Sequence, residues 1–164
     1  GFGRIGQEMA RCALVMGMNV LATDPYIQRA TIAIGPEGLG IDVEIITVPL
    51  EDVLVDSDYI SLHTPSVGKP VIGKEEFTQM QDGVILVNCS RGDVLDEDAL
   101  LNALESGKVA GVGLDVFNNE PAPRKDLLMH PNVSLSPHIG AATNEAQNKI
   151  GAELASKLIA ALKK

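Results

Sequence analysis

Gly1-Phe2-Gly3-Arg4-Ile5-Gly6 opens the chain, and the reading of these six residues decides the fold. The run has the pattern G-x-G-x-x-G. It passes at once into apolar residues at helical spacing: Ile5, Met9, Cys12 or Ala13, and Met16. Gly17 then offers a left-handed stop. In a dinucleotide-binding turn the first glycine makes the bend and the second lets the backbone approach a pyrophosphate. The third lets the helix pack close to the sheet, and the helix N-terminus holds the negative charge. Glycine triplets also occur in ordinary turns, so the motif needs support from the residues downstream.

Two features supply that support. Met18-Asn19-Val20-Leu21-Ala22-Thr23 reads as a short buried strand, and it runs into Asp24, 18 residues after Gly6. An acidic residue roughly 20 positions on is suited to hydrogen-bond a ribose diol, and its charge repels a 2′-phosphate. NAD is therefore expected over NADP. The competing reading of Asp24 is a turn residue ahead of Pro25, since Asp-Pro favours turns. A strand is expected before the glycine turn, and the sequence starts inside that turn. The expectation is a piece of a longer protein whose first strand lies upstream.

With 164 residues, 45% of them hydrophobic, the chain is long and apolar enough for one domain with an aliphatic core. A net charge of −9 disfavours binding to nucleic acid or to an anionic membrane, both of which need a basic surface. It leaves a small anionic ligand open, because such a ligand senses its local site. Cys12 and Cys89 have no metal-ligand spacing and make no disulfide framework. Buried, reduced thiols and a cytoplasmic setting are expected. No apolar run approaches a membrane span.

Residues 25–48 are the least legible. Gly35-Pro36-Glu37-Gly38-Leu39-Gly40 reads as a loop, and Ile45-Ile46-Thr47-Val48 as an edge strand ended by Pro49. A short helix is expected over 50–55, and a strand over 58–62 that stops at His63-Thr64-Pro65. Residues 74–80 read as a short helix, 84–88 as a buried strand entering Cys89-Ser90-Arg91-Gly92. A helix starts near Asp96 and stops at Gly107. Residues 109–116 form the next strand, in which Gly111 and Gly113 mark close packing. After the loop Glu120-Pro121-Ala122-Pro123, residues 133–136 make another strand, ended by Pro137-His138-Ile139-Gly140. Thr143 caps a last helix with one apolar stripe: Ala146, Ile150, Leu154, Leu158 and Leu162. Strands alternating with helices predict an α/β fold, a doubly wound parallel sheet of Rossmann type.

Arg91, Glu120 and His138 come after three different strands, and carboxyl ends of parallel strands open on the ligand crevice. Their chemistry suits oxidation of a 2-hydroxy acid. Histidine takes the hydroxyl proton, a carboxylate fixes its tautomer, and a guanidinium holds the substrate carboxylate. Taken singly, each has a plain reading: a surface ion pair, a solvated acid and a helix cap. His63 reads equally as a strand-end cap through hydrogen bonding. Lys69 and Lys74 read as solvated charges.

At these motifs the sequence resembles the NAD-dependent D-2-hydroxyacid dehydrogenases, in their nucleotide-binding domain. The resemblance rests on the glycine run, Asp24-Pro25, His63-Thr64-Pro65 and Val87-Asn88-Cys89-Ser90-Arg91-Gly92. It continues through Gly113-Leu114-Asp115-Val116-Phe117, Glu120-Pro121 and Ser136-Pro137-His138-Ile139-Gly140. It implies His138 as acid/base, Glu120 as its partner and Arg91 as the substrate anchor. It implies that Gly1, Gly3, Gly6 and the backbone of Arg4 and Ile5 hold the pyrophosphate, with Asp24 and Pro25 at the adenine ribose. His63, Thr64, Pro65, Cys89, Ser90, Arg91 and the turn formed by His138, Ile139, Gly140 and Ala141 line the cofactor. Asp115 pairs with the nicotinamide amide or, in its plainer reading, caps a helix. The resemblance further implies a small anionic 2-hydroxy acid as substrate, a homodimer or higher homo-oligomer, no metal, and a substrate domain outside residues 1–164. Segment 66–73 is shorter than usual for the family and 31–44 longer. Glycerate, glyoxylate or lactate oxidoreductases, and NAD-sensing corepressors, share the same groups.

Overall fold

A computed structural model describes residues 1–36 and 39–162. Helix α1 (Arg4–Val15) leads into an antiparallel hairpin, β1 (Arg29–Ile34) with β2 (Ile41–Ile46). Next come α2 (Leu50–Asp56), β3 (Tyr59–Leu62), α3 (Lys74–Gln79), β4 (Val84–Asn88), a 3-10 turn Gly92–Val94, and α4 (Glu97–Glu105). The chain continues with β5 (Val109–Leu114), α5 (Lys125–Leu128), β6 (Val133–Leu135) and α6 (Asn144–Leu162). Strands β3-β4-β5-β6 form one sheet in that order, every pair parallel. All four carboxyl ends therefore lie on one edge, the arrangement that places a ligand crevice there.

The main core is aliphatic, as the composition demands. Leu54, Leu86, Leu95, Leu100, Val109 and Leu127 are almost wholly excluded from solvent. Asp96 caps α4 by accepting from the N–H groups of Asp98 and Ala99, and Gly107 ends the helical run at φ +77°. Gly17 takes the left-handed conformation expected after α1, at φ +82°. Thr143 caps α6, its Oγ1 accepting from Ala146 N–H at 3.1 Å.

The structure departs from the sequence-based expectations in several places. Residues 18–23 join no strand ladder, although Val20 and Ala22 pack into a second, smaller core with Phe2, Ala10, Ile32 and Ile45. A strand needs a ladder of backbone hydrogen bonds, and among the described residues this segment makes only isolated ones, such as those from Gly1 N–H to the Thr23 carbonyl at 2.9 Å and from Val48 N–H to the Ala22 carbonyl at 2.8 Å. The 31–44 stretch is largely the hairpin; within its connection, the loop expected at Glu37 and Gly38 falls outside the described residues. In β1 the alternation of Ala30, Ile32 and Ile34 is blurred by the apolar Ala33 on the other face, whereas β2 alternates as Ile41-Asp42-Val43-Glu44-Ile45 and starts four residues before the strand expected at 45–48. Helix α1 does not bury the face that periodicity suggests. Gly6 and Ala10 point inward, and Ile5, Met9, Cys12 and Met16 are exposed. The α6 stripe is uncovered as well, with Ile150, Leu154 and Leu158 each more than half exposed. Cys12 and Cys89 are both exposed thiols rather than buried ones, because α1's outer face is open and Cys89 sits at the sheet's ligand edge. Gly111 and Gly113 make no tight approach: a Cβ on either would meet its nearest neighbour at 3.7 Å, ordinary contact.

Leu100 lies at the centre of the main core with no exposed surface. Leu100→Ala is expected to lower unfolding free energy by about 2–5 kcal/mol, read from the midpoint and slope of urea denaturation.

Candidate active site

The three glycines of the turn meet different surroundings. A Cβ on Gly1 would fall 2.7 Å from the backbone of His63, and one on Gly6 would fall 2.3 Å from the Gly1 carbonyl oxygen. These two glycines let the turn, the start of α1 and the end of β3 nest together. A Cβ on Gly3 would meet nothing within 4 Å. Gly3 is the N-cap of α1 and brings no side-chain cap, so the first-turn N–H groups of Arg4, Ile5 and Gly6 face an open approach. The Arg4 side chain points elsewhere and pairs with Glu153 on α6, an exposed contact that contributes little to stability.

Asp24 closes the turn from the other side. Its Oδ2 accepts from Phe2 N–H at 2.7 Å, and its Oδ1 accepts from Tyr26 and Ile27 N–H at 2.8 and 3.0 Å. Burial works against the charge, but these three donors outweigh it and hold the carboxyl below its ordinary range. A carboxylate has about four lone-pair sites, so one remains for a ribose hydroxyl. Asp24 is therefore both the turn residue and a potential ribose ligand, and the two readings coexist. Pro25 comes next, on the exposed side.

At the end of β3, His63 Nε2 lies 3.0 Å from Ser61 Oγ, and burial pushes the imidazole pKa down. Thr64 Oγ1 is shut off from solvent and has no hydrogen-bond partner. A hydroxyl in that state is left to pair with a water or a ligand. At the end of β4, Asn88 is fully buried. It accepts from Ser90 N–H and Oγ–H and donates to the Arg91 carbonyl, which shapes the Cys89–Arg91 corner. Although Cys89 is exposed overall, partial desolvation of its sulfur, with the Asp115 charge second, pushes the thiol up. The Arg91 guanidinium is exposed and spends one N–H on the Ser90 carbonyl at 2.6 Å, leaving the others for a ligand.

The ends of β5 and β6 are joined through Asp115. This buried carboxylate accepts from Ser136 Oγ at 2.6 Å, Ile139 N–H at 2.9 Å and Gly140 N–H at 3.0 Å. Both oxygens thus face the 136–140 turn, and of the carboxylate's roughly four lone-pair sites one is left for a further donor, as at Asp24. Ser136, part of the motif but without a role expected from sequence, is Asp115's shortest partner; no spacing rule signals that link. Within the turn His138 sits at φ +54°, the left-handed region that side chains rarely adopt. There its Nδ1 lies 2.7 Å from Glu120 Oε2, while Glu120 Oε1 accepts from Phe117 N–H at 2.9 Å. The bond to His138, with the Phe117 N–H second, holds the Glu120 carboxyl below its ordinary range.

The structure thus brings His138 directly to Glu120. It sets Arg91 on the same edge, after β4, one strand from β5 and two from β6, with no hydrogen bond to either group among the described residues. Two surface cavities of about 660 and 700 Å³ are lined by none of the expected site residues. No group of three metal-ligating side chains occurs among the described residues.

Asp115 also sets an expectation for acid stability. Burial opposes its charge, but the Ser136 hydroxyl and the two N–H donors prevail, and its folded pKa lies below the ordinary carboxylate value. Its stabilising contribution is complete above the unfolded value of about 4, and it drains away as pH falls through the folded value. Acid titration of stability should therefore show a steeper loss below about pH 4 in the parent than in Asp115→Asn, monitored by circular dichroism.

Residues 1–140 match the family described as D-isomer specific 2-hydroxyacid dehydrogenase, NAD binding domain. The chain is 43% identical over 167 residues to D-3-phosphoglycerate dehydrogenase 2, chloroplastic, of Arabidopsis thaliana, covering 99% of this chain and 25% of that one. It is 44% identical over 163 residues to hydroxypyruvate reductase of Thermotoga maritima, covering 96% of this chain and 50% of that one. A glyoxylate reductase from Paecilomyes thermophila superposes with a TM-score of 0.83 at 39% identity, over 100% of this chain and 48% of that one. D-lactate dehydrogenase from Aquifex aeolicus, solved with NAD and lactic acid, gives a TM-score of 0.76 at 33% identity, over 99% and 52%. The chain spans 25% to 50% of the length of these curated relatives. With the glycine turn, the parallel sheet and the motif order all in agreement, the chain belongs to the D-isomer specific 2-hydroxyacid dehydrogenases and represents their NAD-binding domain.

Proposed function

We propose that residues 1–164 are the NAD-binding domain of a longer D-2-hydroxyacid dehydrogenase that oxidises 3-phosphoglycerate to 3-phosphohydroxypyruvate on the way to serine. The observation that carries the dehydrogenase reading is the 2.7 Å contact between His138 and Glu120 at the carboxyl edge of the sheet. The named similarity to D-3-phosphoglycerate dehydrogenases supports the substrate. A glyoxylate or hydroxypyruvate substrate is the second reading, favoured by the Thermotoga relative and the glyoxylate reductase superposition.

The open approach at Gly3, the first-turn N–H groups of α1, the spare lone pair of Asp24 and the unpartnered Thr64 hydroxyl fit a dinucleotide. Cys89, Ser90, Asp115 and residues 139–141 complete the proposed cofactor contacts. When bound, NAD supplies the acceptor for the hydride that the substrate carbon gives up. His138 does the proton work. Its Nδ1–H donates to Glu120, which leaves Nε2 as the base for the substrate hydroxyl and stabilises the imidazolium that results. Arg91 offers its free N–H groups to the substrate carboxylate as a planar fork. A homodimer in the cytoplasm completes the proposal, supported by the uncovered apolar face of α1 and two unpaired thiols.

The intact protein, supplied with NAD and each of 3-phosphoglycerate, glycerate, glycolate and D-lactate, should turn over 3-phosphoglycerate with saturation. Failure on every acid, with peptide binding in its place, would instead indicate a corepressor-like sensor. His138→Ala should lower kcat by roughly 10²–10⁴-fold while the NAD dissociation constant stays put. Loss of cofactor affinity to the same degree would mark His138 as structural. Asp24→Ala should weaken NAD binding and narrow the preference over NADP, measured by titrating protein fluorescence or calorimetry with both dinucleotides.

A further inference from the structure

Glu97 is one of few buried charged residues, at 8% exposure, and the proposed chemistry makes no use of it. It sits in the first turn of α4, where a carboxylate gains from the helix dipole, yet its oxygen is directed outside the helix. Glu97 Oε1 accepts from Asn118 N–H at 2.9 Å, and the Asn118 side chain donates to the Leu95 carbonyl at 3.4 Å. The same peptide is also met closely by Gly92. A Cβ on Gly92 would fall 2.1 Å from the Phe117 carbonyl and 2.6 Å from Asn118 N, so the residue after Arg91 lies flat against the 117–118 peptide. Farther along, Arg124 bonds to Asp98 on α4 and to Asp126, fastening the loop's exit. The loop between them carries Glu120.

We propose that Glu97 is a positioning residue for the proton-transfer pair, holding the 117–118 peptide against the Arg91 turn so that Glu120 meets His138. This rests on the dehydrogenase reading of the site. Glu120 takes its own orientation from Phe117 N–H, one peptide before the clamped one, so rotation of that segment carries the carboxylate with it. One buried carboxylate thereby sets the distance between the proposed substrate anchor and the proposed acid/base pair. The groups facing Glu120 are His138, the Phe117 N–H and, at longer range, the Asp115 charge.

The test uses the intact enzyme and three variants. Glu97→Ala removes the acceptor, and Glu97→Gln keeps an oxygen in the same place. Glu97→Asp keeps the charge but withdraws it by one methylene, and it carries the test if the alanine variant does not fold. Alanine and aspartate should lower kcat about tenfold with KM for NAD unchanged. In the apoprotein they should move the Glu120 carboxyl titration upward, toward its ordinary range, as followed by carbon NMR. Glutamine should restore both. Parental kcat and an unmoved Glu120 titration in the aspartate variant would overturn the proposal, and so would a change confined to melting temperature or to KM for NAD. A parent protein inactive on every hydroxy acid would remove the dehydrogenase reading instead, and the Glu120 titration would still decide whether Glu97 governs the loop.

Discussion

The Asp115 carboxylate is the joint on which the proposed catalytic edge turns. It is buried at the end of β5, and its oxygens take the Ser136 hydroxyl and the N–H groups of Ile139 and Gly140 from the segment after β6. Those three bonds bracket His138 and hold it at φ +54°. A side chain in that region costs about 1–3 kcal/mol and persists only where its surroundings impose it. The strain delivers a result: the imidazole leaves the sheet edge in the direction of Glu120. Without the anchor, residues 136–140 would have no reason to adopt this path, and the two proposed proton-handling groups would be independent side chains on separate loops.

The rest of the edge is built on the same plan, in which buried polar side chains shape the corners and exposed ones are left to act. Asn88 does for Cys89, Ser90 and Arg91 what Asp115 does for His138. Asp24 does it for Phe2 and the residues after Pro25. Each is a short acceptor at or just after the end of an extended segment, satisfied by backbone donors of an adjoining or facing turn. Parallel strands make this economical, because every chain reversal of one kind lies at the same end of the sheet.

Much of this is legible in the residues, for definite reasons. Helices α2, α3 and α4 and strands β3, β4 and β6 lie where apolar runs and their punctuation place them, since Pro49, Gly83, Asp96 and Gly107 act through local backbone chemistry alone. The hairpin is harder to read because β1 carries apolar residues on both faces and a glycine-rich connection separates it from β2, whose Ile41, Val43 and Ile45 do alternate with Asp42 and Glu44. Burial of α1 is misread for a different reason. Periodicity identifies an apolar face but not whether anything covers it, and α1 is apolar on a face that this chain leaves open while it packs through Gly6 and Ala10. The glycines at 111 and 113 mislead because a missing side chain can mean close approach or mere tolerance. Gly92, by contrast, meets a peptide where no Cβ fits. No sequence rule links Glu97 to Asn118, since a contact across 21 residues is a product of the tertiary fold.

Helix α6 bears on how this polypeptide would melt. At 19 residues it is about 28 Å long by the usual rise, and none of its described residues is buried. Isolated helices of that length are marginal in water, and their helicity declines gradually on warming. The parallel sheet, with its closed aliphatic interior, should instead come apart in one cooperative step. As long as nothing lies over the Ile150, Leu154 and Leu158 stripe, ellipticity at 222 nm would sag well before the sheet gives way, and a single transition temperature would describe only part of the molecule.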